Sequence, residues 1–497
     1  MEHADLARQI IRSVGDTLRR AHASTSNAEE AFNIDLSLKL LGFLNALIAS
    51  QGDAGARHDQ EFARIVDEAT KLLGPDKPAK EAGQPWRGGT MLEGLAPPPG
   101  GISASSVLAR LGAEIGQRAD TAKRTAARDL FRRFIALEEN AIRRLDPGGG
   151  GNVANLFWTG EKGNDDETAE KMVNEETLTA YLKAYFPNDP NIRAVNVRQL
   201  VGGMSKDTTL FEITGSSHDG RYVMRKDAPV PRYTSAIDEF SLLRAMHKRG
   251  VPVPEPVWSE RDTHWFGGAF IVVKFVPGAN DISGWVKDKN LARRFGEQLA
   301  RVLVQIHAVR PADVGLTDAV GKTATEAQIG HMNWLLESYR TRVQRPNPRI
   351  EAAFGWLLAN VPQLGDQPPS LVHCGMGFHN LLTENGNLNA VLDWEFTHFG
   401  DPGDDLGYIH QFIERVLPWP EFLAMYKAQG GAPYTDEQDR FYAVWRSLRN
   451  ACACMDSYKF YVDDNMPSVK LGTIGLIYGP RFELSGLREV ANTVESF

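Results

Sequence analysis

Apolar residues at Leu6, Ile10, Ile11, Val14 and Leu18 recur at the three- and four-residue spacing of a single helix face, which predicts a helix over 5–18. The same period returns over about 28–48 and 61–73, and the stretch 105–145 reads as one further helix. Between the last two lies Gly83–Gly101, containing Pro97-Pro98-Pro99-Gly100-Gly101, which cannot continue a helix and reads as a loop. The glycine run Gly148–Gly151 and the charged stretch Glu161–Glu176 make a second break. Residues 1–145 are therefore expected to form a helical module, joined to the rest by a flexible linker over 146–172.

Beyond that linker the period shortens. Segments 193–200, 208–214 and 220–225 alternate in the manner of half-buried strands, and turn residues separate them. From Asn290 onward helical spacing dominates, interrupted by two short apolar strands at 370–373 and 388–393. A small β-rich lobe over 173–278 and a larger helical lobe over 279–497 are expected.

Composition narrows the class. A chain of 497 residues is long enough for about three folding units, and 42% hydrophobic with 24% charged residues is the balance of a globular protein. Lys and Arg number 55 against 63 Asp and Glu, a formal charge of −8, and no long basic run is present to track a phosphate backbone, so nucleic acid is excluded as an expected partner. The three cysteines, Cys374, Cys452 and Cys454, lack the paired spacing of a disulfide framework or a four-ligand zinc site. With no signal-like start and no apolar run of about 20 residues, the expectation is a cytoplasmic protein with no membrane contact.

The candidate chemistry lies in two segments, His373-Cys-Gly-Met-Gly-Phe-His-Asn380 and Leu392-Asp-Trp-Glu395, each following a predicted strand. Phosphoryl transfer needs cations across the phosphates, and those cations need hard oxygen ligands. Asn380 and Asp393 supply such oxygens from neighbouring strand ends. In the small lobe Gly202, Gly203 and Ser205 lie between two strand patterns, where the backbone can approach a phosphate.

These segments resemble the H-G-D-x-x-x-x-N loop and the metal-binding aspartate of aminoglycoside phosphotransferases and choline kinases, and Gly400-Asp-Pro-Gly-Asp-Asp-Leu406 resembles the G-D-P-x-x-D-L signature of that family. In motif the chain is most similar to the kinase domains associated with acyl-CoA dehydrogenases. The resemblance covers about 178–449. It implies an α+β, two-lobed protein-kinase-like fold, with a β-rich N-lobe and a helical C-lobe, here preceded by the all-α module. It further implies ATP and Mg2+ as cofactors, with Asn380 and Asp393 as metal ligands and His373, Asp401 and Asp405 bracing the catalytic loop. Gly202, Gly203 and Ser205 would contact phosphates. Arg225 would grip them from the third strand, held by Glu239, while Lys226 points to the other sheet face. Segment 270–278 would form the hinge between lobes.

One position departs from the pattern. Gly375 stands where the family has its catalytic aspartate, the group that takes the proton from the acceptor hydroxyl. Three explanations compete: a kinase-like protein that binds without transferring, a replaced base in an otherwise active enzyme, and a displaced base, for which His379 and Glu395 are near in sequence. The acceptor is expected to be a small-molecule hydroxyl. Glu414, Asp456, Asp463 and Asp464 would suit a polycation such as an aminoglycoside; Arg446, Arg449 and Lys459 with Tyr458 and Tyr461 would suit an anion, and the resemblance implies a hydroxyacyl-CoA. The N-terminal module leaves open a protein partner or self-association.

Overall fold

The computed structural model describes residues 14–16, 18–22, 28–50, 53–74, 101–116, 122–145, 173–200, 206–227, 234–314, 320–343, 347–462 and 469–495. The expected linker 146–172 and the glycines and serine of 201–205 lie outside them. Before the sheet come helices α1 (Ala28–Ser50), α2 (Asp53–Leu73), α3 (Gly101–Gly116) and α4 (Ala122–Leu145). The single helix expected over 105–145 is thus two. Helix α3 stops at a glycine, the poorest helix former after proline, and Arg124 of α4 donates to the Ile115 carbonyl left over at the end of α3.

The sheet region holds α5 (Glu175–Tyr185), β1 (Arg193–Leu200), β2 (Lys206–Thr214), β3 (Gly220–Asp227), α6 (Ala236–Lys248), β4 (Pro256–Glu260) and β5 (Phe270–Lys274). Then follow α7 (Lys289–His307), α8 (Ala324–Val343), α9 (Pro348–Ala359), β6 (Ser370–Val372), β7 (Leu381–Glu384), β8 (Asn387–Val391) and β9 (His398–Gly400). Helices α10 (Gly403–Ile413), α11 (Trp419–Ala428), α12 (Asp436–Val462) and α13 (Gly479–Glu495) complete the order. Among the described residues no helix is long and apolar enough to cross a membrane.

The chain divides into two compact units. The first gathers Met1–Gly151, Gly321–Gln367 and Thr435–Phe497, and its described residues are helical apart from short connections. Helices α1 to α4 therefore share a unit with α8, α9, α12 and α13, segments assigned on sequence to the C-lobe. Contact between α3 and α9 is close because both carry small residues there. A Cβ on Gly112 would strike the Ala352 carbonyl, and one on Gly355 would strike that of Ala109. Buried charge joins the same helices: Arg349 of α9 pairs with Glu138 of α4 and with Glu483 of α13, and His58 of α2 lies 3.2 Å from Glu138.

The second unit, Asn152–Val320 with Pro368–Tyr434, carries the strands. Its main sheet is antiparallel in the order β1-β2-β3-β5-β4; β6 pairs with β9, and β7 with β8. Strand β5 is apolar on both faces because both are covered. Ile271 and Val273 join the core beneath α6 and α7, whereas Phe270 and Val272 join the aromatic core around α5. Register then dictates where the neighbouring strand points. Arg225 pairs with Ile271 and shares its face, and Lys226 takes the opposite one. After β5 the chain crosses over at Gly278, with φ +133°, where a Cβ would stand 3.2 Å from the backbone of Thr383. Ala279 and Thr383 exchange both backbone hydrogen bonds, at 2.8 and 2.9 Å, fixing the hinge to β7.

Candidate active site

Helix α6 is aimed by its own cap. Ser235 caps its first turn in a capping box with Asp238, and Asp227 at the end of β3 accepts from Ser235 Oγ at 2.6 Å and from the Ala236 amide at 2.7 Å. Strand and helix are thereby joined eight residues apart, which brings Glu239 over Arg225. The Arg225 guanidinium is 3.1 Å from Glu239 and 3.1 Å from Asp393, which follows β8. Burial works against the Arg225 charge, but the carboxylates of Glu239, Asp393 and Glu395 more than offset it and raise the pKa of the group above its ordinary value.

Lys206, first residue of β2 and unassigned on sequence, enters the same cluster. It is 3% exposed, with Nζ 2.5 Å from Glu239 and 3.5 Å from Glu395. Two cations thus face three carboxylates in a site shielded from water, where charges interact strongly. Only burial reveals this lysine, since along the sequence it looks like any polar residue after a glycine turn. Lys226 lies across the sheet, donating to the Phe266 carbonyl at 3.1 Å and paired with Asp207 at 3.2 Å.

The catalytic loop hangs from Asp405 in the first turn of α10. The Asp405 carboxylate accepts from the amides of His373 at 2.9 Å and Cys374 at 2.6 Å, and from His307 Nε2 at 3.0 Å. Burial alone would raise the Asp405 pKa; His307, His373 and the backbone donors reverse this and hold it below the usual value. His307 in turn lies 2.7 Å from the Tyr426 hydroxyl, so a buried Asp–His–Tyr chain supports the loop. Asp401 accepts from the Gly403 amide at 2.9 Å and fixes the turn into α10.

His373 joins the loop to the metal strand. Its Nδ1 accepts from the Gly375 amide at 3.1 Å, which leaves Nε2–H to donate to the Leu392 carbonyl at 3.0 Å. Leu392 also donates its amide to the Asn380 carbonyl at 2.8 Å, and Asn380 Nδ2 donates to the Gly375 carbonyl at 2.9 Å. Two residues here, Cys374 (φ +60°) and Asp393 (φ +63°), are in the left-handed region, a strain of about 1–2 kcal/mol each that the surrounding bonds maintain.

Asn380 and Asp393 are therefore held on adjacent, mutually bonded segments. Oxygens of Asp393, Glu395 and Glu239 lie within 4.8 Å of one another. An amide oxygen with carboxylates is a hard donor set, which fits Mg2+ and not a thiophilic ion. His379, one of the two residues near enough in sequence to replace the base, is largely buried. That burial, with His373 nearby, pushes its pKa down to about 4 despite the opposing charge of Asp393, so it is neutral near pH 7. Glu395 is engaged by Lys206.

A sheet arginine clamped between a helix glutamate and the aspartate after a short strand, facing an asparagine on a buttressed loop, defines the class of kinase-fold phosphotransferases. The sequence agrees: residues 196–445, half of the chain, match the family described as "Phosphotransferase enzyme family", and the chain belongs to it. Human acyl-CoA dehydrogenase family member 11 is 24% identical over 307 residues, covering 59% of this chain and 38% of that protein. Mouse acyl-CoA dehydrogenase family member 10 is 25% identical over 303 residues, covering 58% and 27% respectively. The chain thus spans well under half the length of these relatives. Among solved structures, macrolide 2'-phosphotransferase MphH from Brachybacterium faecium superposes with a TM-score of 0.41 at 17% identity, covering 60% of this chain and 97% of that one.

Proposed function

We propose that this phosphotransferase moves the terminal phosphoryl group of ATP, with Mg2+ as cofactor, to a hydroxyl of a small molecule. The observation that carries the reading is Arg225, 3.1 Å from both Glu239 and Asp393, which holds a permanent cation where the phosphate chain would lie. Gly202, Gly203 and Ser205 would supply backbone and hydroxyl donors to the same phosphates, and Asn380 and Asp393 would hold the magnesium. That ion, when bound, neutralises charge on the transferred group. In the reaction the bond from the terminal phosphorus to the ADP oxygen breaks, a bond to the acceptor oxygen forms, and the hydroxyl proton must leave. At Gly375 there is no side chain to take it.

The relatives named as acyl-CoA dehydrogenase family members support a hydroxyacyl-CoA as the acceptor over an aminoglycoside. A second reading, a non-catalytic ATP-binding scaffold, is favoured by Gly375 itself.

Thermal unfolding with and without MgATP tests the binding half. A ligand at a hundredfold excess over its Kd stabilises the folded state by about 2.7 kcal/mol, and Asp393→Ala is expected to remove the magnesium-dependent part. No stabilisation of the unaltered chain would refute nucleotide binding. ADP release across hydroxyacyl-CoA and aminoglycoside acceptors then separates enzyme from scaffold.

A further inference from the structure

Three side chains of metal-ligating type converge behind the catalytic loop, apart from the phosphate-facing cluster. Cys374 follows β6, His398 opens β9, and Asp404 lies in the first turn of α10. Pairing of β6 with β9 sets Val372 opposite His398, which brings Cys374, two residues further on, beside the imidazole. One donor atom from each of the three lies within 4.8 Å of the other two. Cys374 Sγ is 3.7 Å from His398 Nδ1, and His398 Nε2 is 3.6 Å from an Asp404 oxygen. Cys374 and Asp404 are each 1% exposed.

We infer that Cys374, His398 and Asp404 form a site for a thiophilic divalent cation of the zinc class. Three features carry the inference. The donors are a thiol, an imidazole and a carboxylate, a set that selects zinc or cobalt over magnesium. The Nδ1 of His398 lies 3.1 Å from the Phe396 carbonyl, and an N–H donated there leaves the lone pair of Nε2 directed to Asp404, the outer-shell arrangement that ordinarily orients a ligating histidine. Lastly, the 3.6 Å between that nitrogen and the carboxylate is beyond hydrogen-bond length. It is close to the ~3.4 Å that separates two ligands at ~2.1 Å from a tetrahedral ion.

Three protein ligands leave one coordination position for water or another small donor. The site would tie the catalytic loop to β9 and α10 at the residue next to Gly375. The three positions are scattered from 374 to 404, so no linear spacing announces them.

Cobalt(II) titration of the metal-free full chain tests this. Binding at Cys374 is expected to give a thiolate-to-cobalt charge-transfer band saturating at one equivalent, absent in Cys374→Ser and with affinity weakened at least about tenfold in His398→Gln. Asp393→Ala, which alters the magnesium side, should leave the band intact. Zinc should also slow alkylation of Cys374, but not of Cys452 or Cys454, in the unaltered chain, a measurement that needs no variant to fold. Absence of the band, an equal band in Cys374→Ser, or alkylation of Cys374 unaffected by zinc would each overturn the assignment.

Discussion

Gly375→Asp isolates what the missing carboxylate is worth. A Cβ built on Gly375 would stand 3.3 Å from His373 Cε1 and Nδ1 and 3.5 Å from Asn380 Nδ2, so an aspartate needs only a few tenths of an ångström of movement from the imidazole. Its φ is not in the left-handed region, so the backbone asks for no glycine there. The amide and carbonyl of residue 375 are already held by His373 and Asn380, and a side chain disturbs neither bond. Replacing glycine by a residue that its conformation accepts gains about 0.4–1 kcal/mol from the unfolded chain, roughly offsetting the crowding at His373, so stability should change little. Activity should change much more. A positioned general base contributes about 10²–10⁴-fold, or about 3–5 kcal/mol of barrier. The assay is ADP release with each acceptor, beside calorimetric ATP binding as the control, in which affinity is expected to be unchanged. A Gly375→Asp protein that binds both ligands and stays as inert as the parent would refute the view that only the base is missing, and would favour the scaffold.

Lys206→Met leaves the buried Glu239 with Arg225 alone and should cost about 3 kcal/mol in urea unfolding, where an unchanged midpoint would show that the ammonium does not pair with it in solution. His58 is raised above its ordinary pKa chiefly by its hydrogen bond to Glu138, against the opposing effect of burial. Its contribution to stability is therefore full below the unfolded pKa of about 6.5 and lost as pH rises through the higher folded value; the stability difference between the parent and His58→Gln should shrink over that range, and a pH-independent difference would contradict it. Protease is expected to cut in the glycine-rich and charged stretch 146–172, yet the two fragments should co-elute until denaturant is added, because α3 is packed on α9; separation under native conditions would mean that contact is weak.

Much of the site was legible because it follows from strand alternation and short-range connection. Once β3 and β5 are read as paired strands, Arg225 and Lys226 must face opposite ways, and a helix capped at Ser235 carries Glu239 to the inner face. Other parts depend on the third dimension. The Pro-rich run 250–256 reads as a rigid connector, and β4 beginning at Pro256 owes its pairing to β5 rather than to any pattern of its own. Lys206, His307 and Tyr426 are ordinary polar residues in the sequence and become significant only when buried against Glu239 and Asp405. The helices of 101–145 were read as one because the apolar period bridges Gly116, and periodicity does not register a chain reversal.

The geometry of the catalytic loop bears on which explanation of Gly375 is right. In the family motif the position after the histidine is glycine and the next is aspartate; here these positions hold Cys374 and Gly375. The backbone at Cys374 nevertheless takes φ +60°, the conformation that glycine adopts without cost. The bonds from its amide and that of His373 to Asp405 hold it there, and Asp405 is itself fixed by His307. Loop shape is therefore set from behind, by groups that touch neither the phosphates nor the acceptor, and it does not rely on the residue at 375. A chain that had abandoned phosphate chemistry would have no reason to maintain that strained turn together with Asn380, Asp393, Arg225 and Glu239. Their joint retention makes the defect local, a missing proton acceptor in an otherwise assembled site, and it is this locality that lets a single side chain at 375 distinguish the enzyme from the scaffold.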